Sequence, residues 1–292
     1  MSGMPLARQP SLAFLPSPSR AAWQFGPFSV RAQALAIVAG ILVAIVIAEV
    51  RYRKAGGPRG VITDVAAWAV PAALILAAIG ALTAQTRAQP WLAVHTAMAI
   101  LGFPGGVALG TFAAWLAVRK MRGPGGRRVR FGPVLAAAAP AIAFGLAIAQ
   151  VGAWAAQQGF GRPSAVPWAV VIDPVHRPTG YENFATFAPI FLYQALWDVA
   201  AGVAIIIAAR RLSLSGDRVF ALGAIGYSLG GFGLFWLGIG HLPIILGLRA
   251  GELGDVLVFF GALLYLVRSR RTRSRTSQAS HKAALERDSP VM

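Results

Sequence analysis

Cysteine is absent from this chain of 292 residues. That excludes a disulfide, a thiolate metal ligand and a cysteine nucleophile, so any thiol in its chemistry must arrive with a substrate. Charge is also scarce: only 13% of the residues are Asp, Glu, Lys or Arg, and ten are acidic. So few acids leave little for a polar path through a membrane, and no strict internal repeat is visible, which together argue against a small-solute transporter. The four histidines, His95, His176, His241 and His281, lack a second histidine or a carboxylate at metal-ligand spacing, so no metal site is expected. Residues 1–30 hold no continuous apolar core of signal-peptide length, and they read as an extracytoplasmic lead-in rather than a cleaved signal.

What is present is apolar. With 57% hydrophobic residues, the chain reads as an all-α, polytopic helical bundle embedded in a membrane. Seven segments approach the roughly 20 residues that cross a bilayer: Ala32–Val50, Val61–Ala84, Leu92–Val118, Phe131–Ala156, Pro189–Ala209, Val219–Leu242 and Gly251–Val267. Gly102-Phe103-Pro104-Gly105-Gly106 predicts a broken or kinked third helix, and the Ala/Gly-rich fourth suits close packing in lipid. The net charge of +17 would point to nucleic acid in a soluble protein. Here topology explains it better, because the bases alternate in position. Twenty of the 27 Lys and Arg residues fall in the connections after the first, third and fifth spans and in the tail. The positive-inside bias then puts the N-terminus outside and the C-terminus in the cytoplasm. Residues 31–267 form the expected membrane domain, and 268–292 a disordered basic cytoplasmic tail that anchors topology.

The longest interval too polar and proline-rich to span lies within Phe160–Trp197, and residues 157–188 form the expected outer loop. Recognition should be sought there and at the adjoining helix ends. Arg162, in the Gly161-Arg162-Pro163 turn, is the cation best placed to meet a headgroup phosphate, since guanidinium offers a planar fork of donors. Trp154, Trp168, Tyr181, Tyr193 and Trp197 fit an interfacial aromatic belt. Asp198 and Asp255 lie at or inside apolar spans, where a carboxylate is costly and suggests function; Glu49 and Asp64 lie near span ends and read as interfacial.

The ordered motifs GVITDVAAWAVP, LGFPGG, FGRPSAVPW, RPTGY, TFAPIFLYQALWD and RVFALGAIGYSLG make the chain resemble the bacterial prolipoprotein diacylglyceryl transferases, in their actinobacterial form, from about Leu15 to Val267. The resemblance implies a seven-span enzyme of the bacterial plasma membrane, without a cofactor. Its partners would be phosphatidylglycerol, whose diacylglyceryl group it moves, and the signal peptide of a lipoprotein precursor, whose lipobox thiol receives that group as glycerol phosphate leaves. Gly152, Gly161, Arg162 and Tyr193 are the positions it offers for holding the lipid headgroup.

The same resemblance exposes departures. Where the family pattern has arginine, asparagine, asparagine and glutamate around the end of the fourth span, this chain has Gln150, Ala153, Ala156 and Gln158, keeping only Gly152. Gln33 replaces the tyrosine of the first span, and Ala78, Gly80 and Ala81 replace the arginine, tyrosine and histidine of the second. Ala188-Pro189 and Tyr193-Gln194 stand where histidine-proline and tyrosine-glutamate are found. Gly231, Phe235 and Gly238 take the places of arginine, glutamate and arginine. These exchanges imply a weakly active or inactive homologue that keeps a lipid-accessible cavity. The contrary expectation is transfer through His95, His176, Arg162 or Tyr193.

Overall fold

A computed structural model describes residues 14–18, 21–26, 28–85, 92–239, 244–245, 248–249 and 252–269. Seven α-helices account for most of them. These are α1 (Ala32–Lys54), α2 (Val61–Gln85), α3 (Leu92–Lys120), α4 (Phe131–Ala155), α5 (Ile190–Arg211), α6 (Gly216–Phe235) and α7 (252–269). Three two-stranded antiparallel hairpins decorate the ends: β1 (Ala22–Phe25) with β2 (Phe28–Arg31), β3 (Val170–Val171) with β4 (Thr186–Phe187), and β5 (Ile244–Ile245) with β6 (Leu248–Arg249). His241, His281 and the tail beyond Ser269 lie outside the described residues.

The protein is a helical membrane bundle, and its outer surface, unlike that of a soluble protein, is largely apolar. Large apolar side chains point outward at helical spacing: Leu35, Val38, Leu42 and Val46 on α1, Leu196, Val199, Val203 and Ile207 on α5, and Leu257, Phe260 and Leu264 on α7 are all exposed. Such stripes suit lipid as the surrounding solvent. Among the described residues α1, α4 and α5 are long and apolar enough to cross a membrane; α4 is the central one, with 44% of its apolar window buried against 11% for α1.

Small residues make that centre possible. α1 packs on α4, α2 on α3, and α4 also supports α5 and α6. Gly40 and Gly145 bring the α1 and α4 backbones together so closely that a methyl group on Gly145 would lie 2.7 Å from the Gly40 carbonyl oxygen. In lipid, where burial of apolar area gives no net drive between helices, such contact supplies the association. Pro140 sits inside α4 and is buried; its neighbours pin the helix where the backbone loses one hydrogen bond.

Two expectations need correction. α3 is helical without a break from Leu92 to Lys120, because helical backbone is the form that leaves no polar group bare in hydrocarbon and packed neighbours hold it. Gly110 of α3 lies so near α2 that a methyl there would be 3.0 Å from the Ala69 carbonyl oxygen. α6 begins earlier and stops at Phe235 instead of running to Leu242. After it the chain turns at Trp236 and Leu237, and Gly238 pairs with Gly161 of the loop.

Bases collect at one pole. α1 ends in Arg51, Arg53 and Lys54, α3 in Arg119 and Lys120, and α5 in Arg210 and Arg211. α1 and α5 run antiparallel to α4: Gly152 meets Gln33 whereas Gly145 meets Gly40, and Gly159 meets Phe191 whereas Phe144 meets Gly202. Their C-termini therefore gather at the start of α4, and the basic side chains of both helix ends gather with them. The loop after α4 occupies the other pole.

Candidate functional site: the outer loop and the cavity beneath it

The loop is built around one side chain. Gln157 follows the last turn of α4 in a left-handed conformation (φ +51°), and it is buried at 4% exposure. Its Nε2 donates to Asp173 Oδ2 at 2.6 Å and to the Pro18 carbonyl at 3.3 Å, while its Oε1 accepts from the Asp173 backbone N–H at 2.8 Å. A segment from the lead-in is thereby strapped to the loop. Leu15 N–H donates to Ala169 O (2.9 Å), Val171 N–H to Leu15 O (3.0 Å), Ser17 Oγ to Val171 O (2.5 Å), and Trp154 Nε1 to Pro16 O (3.2 Å). Under these bonds Val170, Ile172, Phe187 and Phe191 form a small apolar core.

Within that frame the sequence-selected positions separate. Gly161 and Arg162 form one turn. Gly161 N–H donates to Ala188 O (2.8 Å), Arg162 N–H to Leu237 O (3.0 Å), and Ala188 N–H to Arg162 O (3.0 Å). A methyl group on Gly161 would strike the Leu237 carbonyl and sit 2.9 Å from Ile190 Cδ1, so only glycine joins the loop to the end of α6 here. The turn locks the Arg162 backbone and leaves its side chain exposed. Tyr193, on the first turn of α5, accepts a hydrogen bond from Trp168 Nε1 at 2.8 Å. Gly152 lies elsewhere, in the α1–α4 contact, where an added methyl would be 2.8 Å from Gln33 Cα.

Two further polar groups of the loop are held in place. Arg177 donates to Ile172 O (3.0 Å) and Glu182 O (2.8 Å). The Glu182 carboxylate accepts from Gly180 N–H at 2.9 Å through both oxygens, and the backbone N–H groups of Gly180 and Glu182 hold its carboxyl below the ordinary value. His176 is exposed in a short 3-10 turn, and His95 lies on α3. Trp197 Nε1 donates to Gly226 O at 2.7 Å, tying α5 to α6.

Beneath the loop, helices α3 to α7 enclose a cavity of about 90 Å3 lined by Val107, Ile142, Leu146, Phe220, Tyr227 and Asp198 among others. That space holds several water-sized groups, since about 10–15 Å3 on this measure admits one water. Asp198 is 3% exposed. Its Oδ1 accepts from Gln194 Nε2 at 2.9 Å, while its buried Oδ2 has no partner among the described residues. No arginine, lysine or histidine lines this cavity among the described residues. Asp255 of α7 packs against Gly231 of α6, where an added methyl would lie 3.0 Å from the carboxyl carbon. Glu252 is buried on the same helix. The cavity is thus walled almost wholly by apolar groups, with Asp198 its one carboxylate among the described residues. No group of three or more His, Cys, Asp or Glu able to hold a metal ion occurs among the described residues.

Of the exchanged positions, Gln150 is half-buried on α4, Ala153 packs beside the loop core, Gln158 and Ala78 are exposed, and Gly238 bridges to Gly161. The side chains of Gly80, Ala81 and Phe235 fall outside the described residues. Sequence reading passed over Gln157 and Asp173. A polar residue directly after the last apolar turn, in Ala155-Ala156-Gln157-Gln158-Gly159, is the one signal that marked the first.

Residues 20–268 match the family model described as prolipoprotein diacylglyceryl transferase. Among curated relatives, the phosphatidylglycerol–prolipoprotein diacylglyceryl transferase 2 of Streptomyces coelicolor is 38% identical over 263 residues, covering 88% of this chain and 81% of that protein. The corresponding transferase of Mycolicibacterium paratuberculosis is 35% identical over 90% of this chain, which spans 64% of that protein's length. The transferase of Corynebacterium efficiens is 33% identical over 95% of this chain and 90% of its own.

Proposed function

Because the chain belongs to the prolipoprotein diacylglyceryl transferase family, we propose that it binds phosphatidylglycerol and the signal peptide of a lipoprotein precursor, and transfers the diacylglyceryl group weakly or not at all. The observation that carries this reading is the lining of the cavity, which among the described residues holds one carboxylate, Asp198, and no arginine, lysine or histidine. Transfer requires the thiol sulfur to form a bond to the glyceryl carbon as the carbon–oxygen bond to phosphate breaks. A base must take the thiol proton, and cations or donors must stabilise the departing glycerol phosphate. The cavity offers Asp198 and Tyr227. A carboxylate about 4 Å from a phosphate costs on the order of 4 kcal/mol at an effective dielectric constant of about 20. Losing one stabilising donor costs a factor of about 10²–10³.

The proposal extends to topology. Seven spans with the lead-in and loop 157–188 outside, and the C-terminus in the cytoplasm of a bacterium, accord with the basic pole and with the positive-inside bias. Headgroup binding is assigned to Arg162, with Gly161 setting its turn and Tyr193 at the membrane level. Gly152 serves by letting α1 approach α4.

The test is a purified-protein assay with phosphatidylglycerol and a lipobox peptide. Expected are retention of the lipid and a rate at least about a thousandfold below a relative that carries the arginine, asparagine and glutamate; ordinary turnover would sink the proposal. The 38% identity to a named transferase favours the competing reading, an active enzyme using His95, His176, Arg162 or Tyr193. Rescue of a strain lacking its own transferase separates the two.

A further inference from the structure

At the opposite end of α4 from the loop lies a second cavity, of about 150 Å3, lined by Trp115, Val118, Arg119, Arg128, Val129 and Phe131. We propose that this pocket binds the phosphate headgroup of an anionic phospholipid.

Both arginines are exposed, Arg119 being held through its side chain and Arg128 through its backbone. The Arg119 guanidinium carbon stands 4.4 Å from the Trp115 ring centroid, stacked on the indole. A guanidinium held by its face keeps its N–H edges free for a planar fork onto phosphate oxygens. Arg128 sits on a closed connection. Arg122 and Arg128 form an antiparallel bridge, Gly123 N–H donates to Arg127 O at 2.8 Å, and a 3-10 turn at Pro124–Gly126 closes the loop. α4 begins beside them at Phe131 with no side chain capping its first turn, which adds a positive helix end.

The occupant is identified by what flanks the pocket. Phe112, Trp115 and Leu116 of α3 are exposed at 54%, 37% and 41%, so an apolar, lipid-facing strip leads away from two cations at the headgroup level. A soluble anion would have no use for that strip, whereas a phospholipid lays its acyl chains along it. Basic pockets between helices at a membrane surface bind anionic headgroups for this reason.

The test uses the full chain in nanodiscs of phosphatidylcholine doped with phosphatidic acid, with retained anionic lipid counted by native mass spectrometry. The double variant Arg119→Gln/Arg128→Gln should lose one retained lipid and weaken binding by about tenfold or more. Arg127→Gln/Arg130→Gln removes the same charge outside the pocket and should retain it. Equal loss in both variants would mean that net charge alone attracts lipid, and would overturn the site. Loss of the lipid to millimolar inorganic phosphate would overturn the lipid as occupant, and resistance to it supports the lipid. Thermal unfolding matched to the parent shows that both variants fold.

Discussion

Gln157 concentrates more consequence than any other single side chain of the loop. It satisfies a carboxylate, a backbone N–H and a carbonyl from two distant segments. Gln157→Ala would leave those partners unpaired in a buried place, at a cost of about 1–3 kcal/mol. A lower unfolding temperature and faster proteolysis near Pro18 and Asp173 are the expected readouts. Glu182 makes a second residue-scale prediction. Its carboxyl is held below the ordinary value of 4.5 by the N–H groups of Gly180 and Glu182. The ionised form is therefore favoured by the folded turn, so its contribution is complete above that value and is lost as pH falls through the lowered one. Protease protection of residues 178–184 should decline on acidification below about pH 4.5, and Glu182→Gln should remove that dependence.

Helix pairing rests on glycine, so the sharpest predictions for whole elements concern added methyl groups. Gly40→Ala drives a methyl into the Gly145 carbonyl, and α1 must shift along α4 at a cost of about 1–3 kcal/mol. Cysteine pairs introduced across α1 and α4 should crosslink more slowly in that variant. Gly161→Ala opposes the Leu237 carbonyl and Ile190. It should free the loop from α6, raising proteolysis at the loop while the unfolding of the helices changes little. α3 shows how an element can escape its local signal: Gly and Pro at 102–106 predict a broken or kinked helix, yet no break interrupts it. Propensity measured in water is a weak guide where an unpaired backbone group has no water to turn to.

For the whole molecule, the polarity of the bundle is its organising feature, with bases at one pole and a strapped loop at the other. The absence of cysteine makes this testable without background. Val175 is 86% exposed on the loop, and a Val175→Cys variant in intact cells should react with an impermeant maleimide. Arg128→Cys, at the basic pole, should react only after the membrane is opened. The reverse pattern would invert the proposed topology.

How much of this was legible beforehand differs by kind. Hydropathy and charge are properties that accumulate along a chain without regard to its path, so the class of fold, the helix sites to within a turn or so except at the end of α6, the basic pole and the family were all readable from residues 32–267. The loop 157–188 was legible as a place for recognition, but Gln157 at its centre was not, because its partner Pro18 lies 139 residues away and only folding brings the two together. The same holds for the buried acids: Asp198 and Asp255 each stood out as costly, but only packing set the first on a cavity without a described cation and the second against Gly231. Composition decided the solvent this protein lives in; tertiary contact alone decided which buried groups find partners, since partnership depends on distances that no stretch of sequence contains.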